Sequence, residues 1–257
     1  MLMTLPWPLF AWLAVCVLLA YTIEAATGFG SIVIALSLAA LLLPLAQLIP
    51  ILVPLNVLMT TVLVWRHRHD IAWALLLRQI LPLMLIGTGI GYLLLPWLDP
   101  ALLKPLFALL LLWFAGREWW RLHHQQQSRR HPSWLMPPLI FSAGISHGLF
   151  ASGGPLLVYA LAGDALGKAR FRATLLSVWL TLNGALTVAF LVDGRLRSAL
   201  PVVLWLVPLL PVGMVLGQQL HVRLDEQRFR QLVYALLVLV GLALLLARPE
   251  TAVISQP

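Results

Sequence analysis

Glu24 and His147 are the ionisable residues set deepest in apolar stretches of this 257-residue chain, within Leu18-Leu-Ala-Tyr-Thr-Ile-Glu24 and Ile145-Ser-His147-Gly-Leu-Phe150. A charge at the centre of a bilayer costs about 2.5–3.5 kcal/mol on insertion scales, so such a residue faces a cavity or a partner. Glu24 can accept a proton, and histidine titrates near pH ~6.5. Both therefore suit proton-coupled movement of an anion; each could equally bond a neighbouring helix and only hold a bundle together. They stand 123 residues apart, and each opens a glycine break. The first reads Glu24-Ala-Ala-Thr27-Gly28-Phe29-Gly30-Ser31 and the second Ser146-His147-Gly-Leu-Phe-Ala-Ser152-Gly153-Gly154-Pro155.

Glycine costs about 1 kcal/mol inside a helix, and proline is welcome in a helix's first turn. Gly153-Gly154-Pro155 thus reads as one helix ending and another beginning. Non-helical backbone at membrane depth is tolerated where it is buried in protein or lines a wet cavity. A fresh helix start there offers free N–H groups and the positive end of a dipole to an anion. Close packing through small residues is the plainer alternative. The candidate binding set from the breaks is Thr27, Gly28, Phe29, Gly30, Ser31, Ser152, Gly153, Gly154 and Pro155, with Tyr159 four residues on.

Asn56 and Asn183 form a second pair, 127 residues apart, with Thr60, Thr61, Thr181 and Thr187 nearby. Amides and hydroxyls donate to an oxyanion without adding charge, or act as interhelical glue. Arg172, in Arg170-Phe-Arg172-Ala-Thr174, can attract or clamp an anion; Arg170 fits interfacial snorkelling, and Arg78 does too. His67, His69, His123, His124 and His131 lack metal-ligand spacing, so no metal and no cofactor is expected.

The elements holding these residues must be membrane helices. Charged residues make up 10% of the chain against 61% hydrophobic, where a soluble domain carries about 25% charge. Apolar runs of about 20 residues recur from end to end. Leu106–Ala115 and Leu236–Ala247 are apolar on every side, which excludes the alternation of a β-barrel. The net charge of +8 would suggest nucleic acid in a soluble protein. Here the basic residues fall between apolar segments, as the positive-inside rule places them, so no nucleic-acid partner is expected. Tryptophans such as Trp65, Trp73, Trp97, Trp119 and Trp134 cluster near span ends as an interfacial belt. Cys16 is the single cysteine, which excludes an internal disulfide.

The chain is also an inexact repeat. Pro82-Leu-Met-Leu-Ile-Gly87-Thr-Gly-Ile-Gly91 matches Pro208-Leu-Leu-Pro-Val-Gly213-Met-Val-Leu-Gly217 at an offset of 126. We therefore expect a first transmembrane repeat at 1–116, a cytoplasmic polar linker at 117–134 and a second repeat at 135–257. Each repeat is a glycine-broken helix pair followed by three further spans, about eight to ten membrane helical segments in all. If each broken stretch crosses twice, or dips in and returns, twelve Lys and Arg share one side and four the other, with mid-segment Arg78 left out. If each crosses once the split is nine to seven. The first count fits the positive-inside rule and makes the two repeats inverted, a design of secondary transporters with the site near the midplane. Both termini then face the periplasm. Gly87, Gly89 and Gly91 can let helices approach within or between subunits, which leaves a homodimer open.

Thr27-Gly-Phe-Gly30, with Gly148-Leu-Phe-Ala-Ser-Gly-Gly-Pro155-Leu-Leu-Val-Tyr159, resembles the TauE/SafE family, also called the sulfite exporter or toluene sulfonate uptake permease family. The likeness extends over size, duplication, paired breaks and the Arg172-Ala-Thr174 run. Thr27-Gly-Phe-Gly-Ser31 departs from the GIGGG-type run followed by proline that many members carry. The resemblance implies a multi-pass protein of the bacterial inner membrane that moves sulfite, sulfonates or similar small anions on an ion gradient. From the residues alone two other functions stand beside it. An intramembrane enzyme would need a motif that is absent, since there is no HExxH and no GxSxG. A non-transporting assembly subunit would gain nothing from paired polar breaks.

Overall fold

The computed structural model describes residues 6–27, 30–124, 132, 134–161, 166–223 and 226–246. These residues form α-helix and helical turns, with no strand among them. The first half runs α1 (Trp7–Thr27), α2 (Ser31–Ala39), α3 (Leu45–His67), the short α4 (Trp73–Leu75), α5 (Leu81–Leu94) and α6 (Pro100–His123). The second runs α7 (Met136–Phe150), α8 (Gly154–Ala160), α9 (Lys168–Val192), α10 (Arg195–Leu206), α11 (Leu209–Arg223) and α12 (Glu226–Leu246). Five helical stretches among the described residues are long and apolar enough to cross a membrane: Trp7–Ala25, Leu45–Asp70, Trp73–Trp97, Pro100–Arg121 and Ala169–Val192. The pair Arg195–Leu206 and Leu209–Gln219, bent by 53°, makes a sixth.

Proline accounts for matched irregularities in the two halves. Pro82 has no N–H to return to the preceding turn, and a π-helical turn at Leu76–Ile80 absorbs the mismatch just before it. Pro208, its partner in the repeat, sits in the two-residue gap between α10 and α11. Arg78 lies in the π-turn and is exposed. The segments after the breaks are short. At 1.5 Å per residue, the nine residues of α2 and seven of α8 reach less than halfway through a hydrocarbon core of about 30 Å.

Helix pairing exchanges partners between the halves. α1 packs on α11 and α5 on α7, while α3 packs on α9 and α6 on α12. The α5–α7 crossing is a backbone contact. A methyl placed on Gly87 would lie 2.9 Å from Ile145 N and 3.0 Å from Gly144 Cα, and one on Gly91 would lie 3.1 Å from Gly148 Cα. One on Gly89 would meet nothing within 4 Å. Gly87 and Gly91 thus serve an interface inside the subunit, and Gly89 points outward. Leucine, valine and tryptophan cover the outer faces, including Leu93, Val188, Leu204 and Trp205, which is the surface expected against lipid.

A polar cluster ties α5 to the turn between α9 and α10. Arg195 Nε donates to Asp193 Oδ2 at 2.7 Å and Nη2 to Tyr92 Oη at 2.6 Å, while Tyr92 Oη donates to Asp193. Gly194 makes the turn in the left-handed region at φ 82°. Burial alone would push the Asp193 carboxyl up; the donors from Arg195 and Tyr92 outweigh it and hold the group below the ordinary aspartate value. A depressed carboxyl stabilises the fold above its unfolded value, about 3.9, and that contribution is lost as pH falls through the lower folded value. Asp193→Asn is therefore expected to cost about 0.2–1 kcal/mol at neutral pH, as partly exposed ion pairs do. The difference from wild type should shrink as pH falls below the unfolded aspartate value and through the lower folded one, read as thermal unfolding in detergent.

Candidate functional site

The breaks, α3 and α9 converge on one cavity. α1 ends in the turn that carries Glu24, and α2 restarts after Gly30, whose φ of 98° is left-handed and suits glycine. Ala151 ends α7 in the same region at φ 51°, where a β-carbon is strained by about 1–2 kcal/mol. Asn56 lies in the middle of α3, and Trp179 and Asn183 lie one turn apart on α9. The cavity holds about 300 Å³ of empty space, counting its open mouth. Its polar wall is Glu24, Ser31, Asn56, Ser152, Trp179 and Asn183, and Ile32, Val33 and Ala151 are apolar.

The two asparagines are the only ones in the chain, and they touch. Asn183 Nδ2 donates to Asn56 Oδ1 at 2.6 Å. Asn56 Nδ2 in turn faces both Glu24 carboxylate oxygens, at 3.2 and 3.1 Å, and Ser31 Oγ at 2.9 Å. Glu24 is 1% exposed. Arg172 lies close enough to sense its charge, but Nη2 of that guanidinium donates to Ala25 O at 2.9 Å. Arg172 thus ties the end of α1 to the start of α9.

Several buried polar atoms here have no partner: Ser152 Oγ, Trp179 Nε1, Asn183 Oδ1, His147 Nε2 and Arg172 Nε. Leaving such a group unsatisfied costs about 1–3 kcal/mol, and native structures hold few of them. Three of the five belong to residues lining the cavity. His147 is fully buried and stacks on Trp179, with ring centroids 5.8 Å apart and 20° between planes. Its Nδ1 accepts from Gly153 N at 3.4 Å, so the ring shapes the second break. Ser146 does the same, donating to Ser152 O at 3.0 Å. The wall offers a small ligand the neutral donors Ser152 Oγ and Trp179 Nε1, beside the Glu24 carboxyl.

Of the residues expected from sequence, Glu24, Gly30, Ser31, Asn56, Ser152, Gly154 and Asn183 line the cavity. Gly153, Pro155 and Arg172 flank it without appearing in its wall. Gly28 and Phe29 lie outside the described residues, as does the side chain of Thr27. Tyr159 sits elsewhere: it takes the Arg117 guanidinium on its ring at 4.2 Å and the edge of Trp113 at 5.4 Å. Thr60, Thr61, Thr181 and Thr187 each bond the carbonyl four residues back on their own helix, at 2.7–2.9 Å. Trp179 is the polar lining residue that sequence reasoning missed, and Ile32, Val33 and Ala151 are the apolar ones. The available signal was a tryptophan in mid-span, one turn from Asn183, where a belt residue has no interface to occupy.

Comparison with known proteins agrees with this architecture. The family described as Sulfite exporter TauE/SafE matches residues 13–244. The probable inner membrane transporter protein TsaS of Comamonas testosteroni is 32% identical over 169 residues, spanning 64% of this chain and 69% of the relative. No solved structure matches the chain. With its membrane-spanning helices and a family match over most of its length, the chain belongs to the TauE/SafE sulfite exporter family and is a multi-pass inner-membrane transporter, not an enzyme.

Proposed function

We propose that this protein is a secondary transporter of small sulfur-containing oxyanions, sulfite or sulfonates, bound where the two broken helices meet α3 and α9, with Glu24 carrying a coupled proton. The observation that carries the reading is the set of unpartnered buried polar atoms around one small cavity. A sulfur oxyanion carries several oxygens that need donors but no full positive charge beside them. Ser152, Ser31, Trp179 and the first turn of α2 can supply those donors. Ile32, Val33 and Ala151 form a wall suited to the organic part of a sulfonate. Two inverted repeats, 1–116 and 135–257, joined by 117–134, explain why breaks 123 residues apart share this cavity and why helix pairing exchanges between halves. His147 acts through the second break rather than as the proton carrier.

The test is uptake of labelled sulfite, sulfate, taurine and sulfoacetate into proteoliposomes, with and without a pH gradient. Saturable uptake of a sulfur anion, increased by the gradient and lost from the gradient-driven part in Glu24→Gln, is the expected result. Absence of flux for all four would remove the substrate assignment. Trp179→Phe preserves the ring against His147 and deletes one N–H. A hydrogen bond to a charged group contributes about 1.5–3 kcal/mol, so the substitution should raise KM about 10- to 100-fold with little change in protein yield. An unchanged KM would mean that the indole does not touch the anion.

A further inference from the structure

We propose that His147 is a positioning residue for Glu24: with its ring proton on Nε2, it heads a one-way series of hydrogen bonds through Asn183 and Asn56 that aims an amide N–H at the Glu24 carboxyl. The consequence for proton coupling rests on the anion-transport reading above; the series of bonds does not. Its direction follows from one donor that cannot turn over. Gly153 N is a backbone group, and it donates to His147 Nδ1 at 3.4 Å. A ring nitrogen that accepts carries no proton, so the ring proton sits on Nε2.

Nε2 and Asn183 Oδ1 find no other partner, and the two side chains hydrogen-bond each other. A donor at Nε2 fixes the Asn183 amide: Oδ1 meets the ring, and Nδ2 is left to donate to Asn56 Oδ1 at 2.6 Å. Asn56 is fixed in the same way, with Nδ2 facing the Glu24 oxygens at 3.2 and 3.1 Å and Ser31 Oγ at 2.9 Å. Turning either amide over would set oxygen against oxygen or N–H against N–H, and a buried mismatch of that kind is costly. His147, Asn183, Asn56 and Glu24 are all buried. The series therefore joins the second break, at Gly153 and His147, to the first, at Glu24 and Ser31.

Histidine suits the head of this series because one ring accepts on one side, donates on the other and still stacks on Trp179. The ionisable groups beside Glu24 donate outside it. Tyr21, on the same helix, donates to Leu52 O at 3.0 Å, and Arg172 of α9 to Ala25 O at 2.9 Å, with His67 of α3 near that guanidinium. Without the Nε2–H, both amides are released to turn over together. The Glu24 carboxyl then meets an acceptor in place of a donor, and its exchange of protons with the gradient is impaired. Ser152 and Trp179 stay in the cavity wall.

The first test needs no substrate. Full-length protein in nanodiscs at neutral pH, labelled with 15N-histidine and 15N-asparagine, reports the His147 ring nitrogens and the NH2 pairs of the chain's two asparagines. The His147 signals, assigned by their loss in His147→Gln, should show the proton on Nε2 and Nδ1 bare. His147→Phe keeps a ring against Trp179 and deletes the N–H. Both NH2 pairs should then move, although Asn56 stands two links from the ring, and His147→Gln, whose amide can donate in place of Nε2, should restore them. Asn183→Ala cuts the series one link further on and should move the His147 Nε2 signal and the Asn56 pair together, which serves if His147→Phe fails to assemble. A proton on Nδ1, or an Asn56 pair unmoved by these substitutions, overturns the proposal.

The second test is uptake of labelled sulfite into proteoliposomes with and without a pH gradient. Stimulation by the gradient should fall about three- to tenfold in His147→Phe, the effect of losing one hydrogen bond of ordinary strength. It should return in His147→Gln, with the gradient-free KM unchanged in both. A His147 that only props the second break would instead raise KM and leave the stimulation as in wild type, and that result overturns the positioning role. Absence of wild-type flux beside the expected ring and amide signals would retain the series of bonds and remove the transport reading instead.

Discussion

Gly91→Leu is expected to prevent assembly, whereas Gly89→Leu, two residues away on α5, should leave the protein folded. The difference follows from what surrounds each position. A β-carbon on Gly91 would overlap the Ile145 carbonyl oxygen and lie 3.1 Å from Gly148 Cα, so two helix backbones, not flexible side chains, would have to move. Even a methyl there should cost about 1–3 kcal/mol, as overpacking does. Leucine should exceed about 4 kcal/mol, the range where single substitutions become exceptional. The α5–α7 crossing also carries the second break, because Gly148 packs against Gly91 three residues before Ala151. Gly213, the repeat partner of Gly87, is looser: a β-carbon there would lie 3.3 Å from Thr22 N, so Gly213→Ala needs only a small shift. Size-exclusion profile and thermal unfolding of the purified variants decide the matter. A monodisperse Gly91→Leu protein with wild-type unfolding would show that α5 and α7 are not in backbone contact.

Asn183→Asp should abolish anion uptake while preserving the fold. The substitution is isosteric, but it removes the Nδ2 that donates to Asn56 and places an acid in the wall of the cavity. Two like charges about 4 Å apart repel by about 4 kcal/mol at an effective dielectric of about 20. Repulsion on that scale between the introduced carboxylate and the bound anion corresponds to a loss of about two to three orders of magnitude in kcat/KM. The comparison is uptake by Asn183→Asp against wild type at equal reconstituted protein, with size-exclusion confirming assembly. Uptake within about threefold of wild type, less than a tenth of that loss, would place the anion away from Asn183.

Much of the fold was legible because membrane helices are specified locally. Apolar length, proline position and glycine breaks all act within a few residues of where they stand. The ends of α1 and α7 fall at the breaks for this reason, and Gly30 takes a left-handed conformation between α1 and α2. The site was legible in part. The pairing of Asn56 with Asn183 followed from matched positions in two halves, but that they bond directly depends on how α3 meets α9. Helical hydroxyls such as Thr60 and Thr187 could be read from sequence as anion donors or as glue between helices; they donate to carbonyls of their own helices, a local option always open to threonine. Tyr159 follows the second break in sequence, yet α8 turns it toward Arg117 and Trp113.

By itself, then, the sequence determined that the chain is an all-α membrane protein, where its helices break and which polar residues are buried at membrane depth. Composition and backbone chemistry are properties of each segment, and burial of a polar group in an apolar run is visible without a partner. Tertiary structure decided which of those residues share a cavity, that Trp179 joins them, and which donors and acceptors remain unpaired there. A hydrogen bond depends on distance and direction between helices far apart in the chain, and no spacing along one strand of sequence encodes that.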